Sequence, residues 1–340
     1  LLGVILAALS AATFAFNSAA LRRGVLTGSV AQALAITVPI GVPIFLLAAV
    51  LSGAITAIAQ FSSQAIAVLA FVGVLHFVGG RYCNYRAAQA IGANLSAPVI
   101  QLSLVVTLAL AVLVLNESFT VLRVLGIAMV VVGPLLTKDA EPPARTSAAT
   151  NAAPADSAKP VESGMPPAFH PLYAQGYFFA LLSAAVYGVT PIMIRPLVAN
   201  TGASGGLVAG LISYTAASLA IGLLLFWPGQ FRHVTAVNRE SMKWFTFSGV
   251  FVCLSQMFLY MAFALAPVSV VIALVQLQLL FRYWFAKLLN PHHEIFGGKM
   301  ILATVISLLG TVALSIDHEW LLSMIPLPDA MASVMRWHWP

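Results

Sequence analysis

Gly3 to Arg22, GVILAALSAATFAFNSAALR, returns 173 residues later as Gly176 to Arg195, GYFFALLSAAVYGVTPIMIR. The echo continues outward from this stretch. Glu117, Gly126 and Gly133 are answered by Glu294, Ala303 and Gly310, with the same steps of nine and sixteen residues and an offset that has drifted to 177. Two apolar halves therefore share one plan. Internal repetition in a very apolar chain is the mark of a membrane carrier whose solute site lies between the repeats near the bilayer midplane.

Composition points the same way. Hydrophobic residues make up 61% of the chain and charged residues 8%, with a mean hydropathy of +0.97; a soluble domain has roughly a quarter of its residues charged. The apolar runs are long enough to cross about 30 Å of hydrocarbon as helices. The alternation of a membrane β-barrel is absent from them. The net charge of +6 comes from basic residues scattered over loops and helix ends rather than gathered in a stripe, so no nucleic-acid partner is expected. Cys83 and Cys253 fall inside apolar runs without paired spacing and read as packing residues. Leu1 stands inside an apolar run without a methionine, so residues ahead of it are expected.

Gly, Pro and polar clusters divide the chain into ten spans, at about 2–21, 29–52, 65–90, 94–115, 119–137, 172–194, 204–227, 243–266, 268–289 and 295–316. The expected architecture is an all-α integral membrane protein. Residues 1–137 form the first five-helix repeat, 138–171 a disordered linker rich in Pro, Ala, Ser and Thr, 172–316 the second repeat, and 317–340 an interfacial or frayed tail carrying Trp320, Trp337 and Trp339. Five spans per half is odd. Halves that fold alike must then insert in opposite senses, as an inverted repeat suited to alternating access.

Several polar residues interrupt the spans. Arg81, Asn84 and Tyr85 fall within about 100° of one another on a helix, while Arg86 points elsewhere. Arg81 lies roughly 13 Å from the helix end, a depth at which an ionised group must face protein or water, or else snorkel. Gln278 and Arg282 are i,i+4 neighbours in the ninth span, and Gln101 corresponds to Gln276 at an offset of 175. Such matched amides either bind solute or join helices. Asn17 and Thr190 correspond at 173 and form a possible second polar layer, with helix packing as the alternative role. His76, beside Gly73, Gly79 and Gly80, is the candidate for carrying a coupling proton, or a neutral histidine satisfied within the bundle.

Asp and Glu are absent from the span interiors; Glu117 and Glu294 stand at span starts, where the helix dipole favours negative charge. Buried arginines without carboxylates favour an anionic or zwitterionic solute. Pro39, Pro43, Pro98, Pro191 and Pro196 supply bends near or within spans. Asn94-Leu95-Ser96 matches a glycosylation pattern but opens a span, so it is read as a decoy. No phosphate-cradling glycine loop, zinc spacing or nucleophile elbow appears, and neither cofactor nor metal is expected.

With these residues in view, the chain resembles the drug/metabolite transporter superfamily, specifically the EamA-type ten-helix carriers. The resemblance rests on two repeats, each ending in an apolar helix, a short acidic turn (Leu115-Asn116-Glu117, and Leu289-Asn290-Pro291-His292-His293-Glu294) and a glycine-bearing last helix. Asn116-Glu117 stands where that family usually has Gly-Glu, and the second copy carries the insertion Pro291-His292-His293. The resemblance implies a central cavity lined by spans 1, 3, 4, 6, 8 and 9, and movement of small metabolites, often outward.

It also implies cytoplasmic termini. Loop charge argues otherwise: Arg22, Arg23, Lys138, Arg145, Lys159, Arg232 and Arg239 lie after odd-numbered spans, against Arg123 and Arg195 after even ones. The family orientation is followed here.

The expected function is a secondary transporter, an exporter in the inner (plasma) membrane, moving a small polar solute that is anionic or zwitterionic. Arg81, Asn84, Tyr85, Gln101, Gln276, Gln278, Arg282, Asn17 and Thr190 are its expected solute contacts. Its partners are the solute and the bilayer, as a monomer or homodimer. A non-transporting receptor or assembly subunit is the first alternative. An intramembrane enzyme is the second, and it lacks a clustered nucleophile, base or metal site.

Overall fold

A computed structural model of the chain describes residues 2–115, 119–120, 125–126, 128–129, 132, 171–199, 201–266, 271, 274–291, 298–315 and 338–339. The expected linker, apart from Pro171, and the tail, apart from 338–339, lie outside the described residues, as do Glu117, Gly133 and Glu294. Six helical stretches among the described residues are long and apolar enough to cross a membrane: Leu2–Val25, Val30–Leu51, Ser63–Thr107, Tyr173–Val198, Gly202–Leu225 and Arg239–Leu265.

The first stretch is α1 (Leu2–Val25). The second is bent into α2 (Val30–Thr37) and α3 (Gly41–Leu51), where Pro39 denies the backbone an amide. A 3₁₀ turn, Ala54–Gln60, leads to α4 (Ser63–Gly73), a π-helical segment (Val74–Gly80), α5 (Arg81–Ile100) and α6 (Ser103–Leu115). Then come α7 (Tyr173–Val198), α8 (Gly202–Leu225), the short α9 (Gln230–Thr235), α10 (Arg239–Leu265), α11 (Gln278–Leu289) and α12 (Gly298–Ser315). One pairing departs from the all-α reading. Strand β1 (Phe119–Thr120) runs antiparallel to β2 (His338–Trp339), with Phe119 opposite Trp339, joining two segments rich in residues that suit extended backbone.

The 45-residue stretch 63–107 is two passages, not one. At Gly92 the backbone adopts φ 84° and ψ 158°, a region essentially closed to residues with a Cβ, and the chain folds back on itself. Packing of α7 makes the reversal visible. The arm before Gly92 runs against α7: Leu172 N–H donates to Ala90 O at 2.9 Å, Ser183 Oγ to Gly80 O at 3.2 Å, and Thr190 Oγ1 meets His76 Nδ1 at 2.8 Å. After Gly92 the chain runs along with α7, until Thr107 Oγ1 donates to Gly188 O at 2.8 Å.

Helix α1 packs against α10 in the same antiparallel manner. Gly3 abuts Ala266, Ser10 Oγ lies 3.1 Å from Ser255 Oγ, Ser248 Oγ donates to Asn17 Oδ1 at 2.6 Å, and Thr27 Oγ1 meets Ser241 Oγ at 2.8 Å. Small residues at these contacts let the backbones approach, and hydroxyls join them where hydrocarbon offers no other partner.

Arginines complete both helix ends. Arg22 Nη1 donates to Ala88 O at 2.8 Å and Gln89 O at 3.1 Å, at the end of the arm before Gly92. Arg195 Nη1 donates to Phe263 O in the last turn of α10. A cation at a helix C-terminus meets both the orphan carbonyls and the negative end of the dipole. The end of α1 and the start of α7 thus share one level, where both reach residues 88–90. The start of α1 and the end of α7 share the other, near 263–266.

Burial is inverted relative to a water-soluble fold. Asn17, Arg22, Arg81, Ser183 and Thr190 are buried, whereas Leu51, Phe178, Leu219 and Leu223 are more than half exposed. Such an exterior requires an apolar solvent.

Candidate central cavity

The junction of the α1/α10 and α5/α7 pairs encloses a cavity of about 130 Å³. Its walls come from both halves. The first half contributes Ser10 and Phe14 of α1, His76 of the π segment, Asn84, Ala97 and Ile100 of α5, Gln101, and Ser103 and Thr107 of α6. The second contributes Tyr187 and Pro191 of α7, Ser255, Gln256 and Phe263 of α10, and Gln276, Gln278 and Arg282 at and within α11. Volumes of roughly 300–1,000 Å³ are usual for ligand pockets. This cavity is smaller than that.

Polar atoms converge on it from both halves. Gln101 Nε2 donates to Gln276 Oε1, so the two amides matched in the sequence meet directly. Gln278 Nε2 reaches the same oxygen at 3.4 Å. The Oε1 atoms of Gln256 and Gln278 are buried without a hydrogen-bond partner among the described residues. A buried acceptor left so costs roughly 1–3 kcal/mol, which a solute N–H or O–H would offset. Arg282 supplies the positive charge: its Nη1 donates to Ala93 O at 3.4 Å, and its guanidinium lies 5.8 Å from the Phe14 ring centre.

Of the ten residues singled out in the sequence, His76, Asn84, Gln101, Gln276, Gln278 and Arg282 line the cavity. The other four stand behind it. Arg81 points into the layer between α2 and α8, donating to Tyr214 Oη at 2.7 Å and Thr37 O at 3.4 Å, with the Phe77 ring centre 4.9 Å from its guanidinium carbon. Tyr85 donates to Thr37 Oγ1 at 3.1 Å. Asn17 joins α1 to α10 through Ser248, and Thr190 holds the His76 ring. That ring is flanked by Tyr187, with ring centres 4.6 Å apart, and by Phe77 at 4.9 Å.

Sequence reasoning missed Ser10, Tyr187, Ser255 and Gln256. The shared LSAA of the two copies pointed to Ser10 and its counterpart Ser183, and Gln256 is a lone amide in the apolar run LSQMFLYM. Glu240, bonded to Trp244 Nε1 at 2.9 Å, is the only carboxylate side chain among the described residues. The buried arginines are met instead by carbonyls, hydroxyls and aromatic faces.

Residues 1–138 match the model of the EamA-like transporter family. This EamA-like part contains the arm that folds back at Gly92 and the first-half wall of the cavity. A crystal structure described only as that of a protein is similar to nearly the whole chain: 15% identity, a TM-score of 0.55, and coverage of 91% of this chain and 95% of the other. That likeness concerns fold alone. No curated protein matches the sequence. Residues 1–138 are thus similar to a family of membrane transporters, and the six long apolar stretches fit a multi-pass membrane protein.

Proposed function

We propose that the protein is a secondary transporter of the inner (plasma) membrane. It exports a small polar metabolite, anionic or zwitterionic, by alternating access, and is built from ten helices as two inverted five-helix repeats. The observation that carries the reading is the cavity itself, walled by corresponding parts of two related halves and crossed by the Gln101–Gln276 bond.

Reciprocal contacts support the inverted repeat. Gly3 and Gly176, Ser10 and Ser183, and Asn17 and Thr190 are matched at 173 residues. Each member of a pair packs on the third passage of the other half: Ala266 and Ile91, Ser255 and Gly80, Ser248 and His76. The shared end levels of α1 and α7 support opposite senses for the two helices.

Within the cavity, Arg282 receives the anionic group of the solute, and Gln256 and Gln278 accept from its donor group. Gln101, Gln276 and Asn84 fix its orientation. Arg81, Tyr85, Asn17 and Thr190 hold the frame, while His76 carries a coupled proton. Exchange of a metabolite across the bilayer requires the two halves to part around the cavity in turn.

The test is counterflow in proteoliposomes, using metabolites whose levels differ between cells lacking and cells overproducing the protein. Arg282→Ala and Gln256→Leu are each expected to lower flux at least tenfold. Unchanged flux in both would remove the cavity as the solute site. For coupling, His76→Gln is expected to abolish flux driven by a pH gradient while leaving counterflow intact.

A further inference from the structure

A second cleft lies apart from the cavity, and no residue lines both. It encloses about 530 Å³ between the start of α2, the π segment with the first turn of α5, and the end of α8. That volume falls within the roughly 300–1,000 Å³ of established ligand pockets. Its lining is almost wholly apolar: Leu34 and Ala35 on one side, Val78 and Gly79 at the back, and Ile221 and Leu224 on the other. Gly79 keeps the back wall open, because a Cβ built there meets nothing within 4 Å.

The mouth carries the side chains of a membrane interface. Trp227 and the Gln230 and Val234 face of α9 line it, and the neighbouring Phe226 and Phe231 are exposed, as aromatic side chains are at a membrane interface. This face of the protein is basic. Arg23 ends α1, Arg232 lies on α9, and Arg239 and Lys243 open α10, with Glu240 the only carboxylate among the described residues. Ser29 Oγ meets His233 Nε2 at 2.8 Å, and Gln32 Nε2 donates to His233 O at 2.9 Å, fixing α9 over the start of α2. An apolar slot that opens on the basic face of the protein matches an amphiphile with an acyl tail and a negative head. Basic residues at a membrane surface attract anionic headgroups.

We propose that this cleft binds one anionic glycerophospholipid, with an acyl chain in the slot against Gly79 and the headgroup at the level of α9 and Arg232. The experiment is native mass spectrometry of the full chain in detergent, titrated with phosphatidylglycerol or with phosphatidylcholine of identical chains. Phosphatidylglycerol is expected to form a first adduct at least tenfold more tightly than phosphatidylcholine. Gly79→Leu, which fills the slot, is expected to weaken that adduct at least tenfold. Arg232→Gln is expected to bring phosphatidylglycerol toward phosphatidylcholine without altering the latter.

Equal binding of the two lipids by the unaltered protein, or an adduct untouched by Gly79→Leu, overturns the proposal. Cys83 also lines the slot and gives a readout that needs no filled variant. In a Cys253→Ser background, phosphatidylglycerol is expected to slow its reaction with a bilayer-soluble maleimide, and an unslowed reaction counts against the site. Neither measurement involves solute flux, so the outcome is independent of the transport reading.

Discussion

At the residue scale, cations in the bundle are accommodated by dipoles and rings. Arg81 illustrates the arrangement: Tyr214 offers it a hydroxyl oxygen at 2.7 Å and a ring face whose centre is 5.4 Å from the guanidinium carbon. Tyr214→Phe keeps the ring and removes the acceptor. It is expected to cost about 1.5–3 kcal/mol, the range for a hydrogen bond to a charged group, read by unfolding in mixed micelles. An unchanged unfolding midpoint would mean that the ring alone holds Arg81. Helical phase in the sequence grouped Arg81, Asn84 and Tyr85 on one broad side. It had no means of assigning that side's edges, and in the fold Asn84 faces the cavity while Arg81 and Tyr85 both reach Thr37 of α2. Which neighbour stands opposite a helix face is a tertiary fact, and a long side chain can reach past the boundary between two neighbours.

At the scale of elements, the helix ends govern how passages within each half are joined. Gly92 permits the reversal between two passages, and Arg22 meets the carbonyls just before it. Gly92→Ala puts a Cβ into a backbone region that excludes it and is expected to cost about 1–3 kcal/mol. Wild-type stability for that variant would show that the turn can relax. Arg22→Gln and Arg195→Gln are each expected to destabilise the protein by about 1.5–3 kcal/mol, since each leaves carbonyls of another helix in its own half unmet. Their burial also bears on topology. Arg22 and Arg195, both counted as loop charges in the sequence, are engaged with protein backbone, which removes one charge from each side of the tally. The reversal at Gly92 was only partly legible, because a lone glycine in an apolar run marks a bend as readily as a turn. The gap between the spans at 65–90 and 94–115 nevertheless fell at the right place.

At the scale of the whole molecule, the repeat read in the sequence makes a definite expectation, since matching residues at a fixed offset imply matching neighbours. Cysteine pairs at Gly3 with Ala266 and at Gly176 with Ile91 test this in membranes. Both pairs are expected to cross-link, and failure of one alone would break the equivalence of the halves. Orientation needs a separate measurement. If the termini are cytoplasmic and the first half crosses five times, a cysteine in the 138–171 segment is expected to react with an impermeant maleimide in intact cells. Protection there would reverse the assignment.

The hydrogen bond from Arg81 to Tyr214 joins residues 133 positions apart. During synthesis the guanidinium therefore reaches the bilayer well before its acceptor has left the ribosome. Until then it must be shielded by water drawn into the lipid or by the insertion machinery, at a cost of at least about 2.5 kcal/mol at the centre of a lone segment. The first half expressed by itself should accordingly be cleared by quality-control proteases, and co-expression of the second half as a separate chain should rescue it. Replacing Arg81 with methionine should lengthen the lifetime of the orphaned first half while weakening the assembled protein.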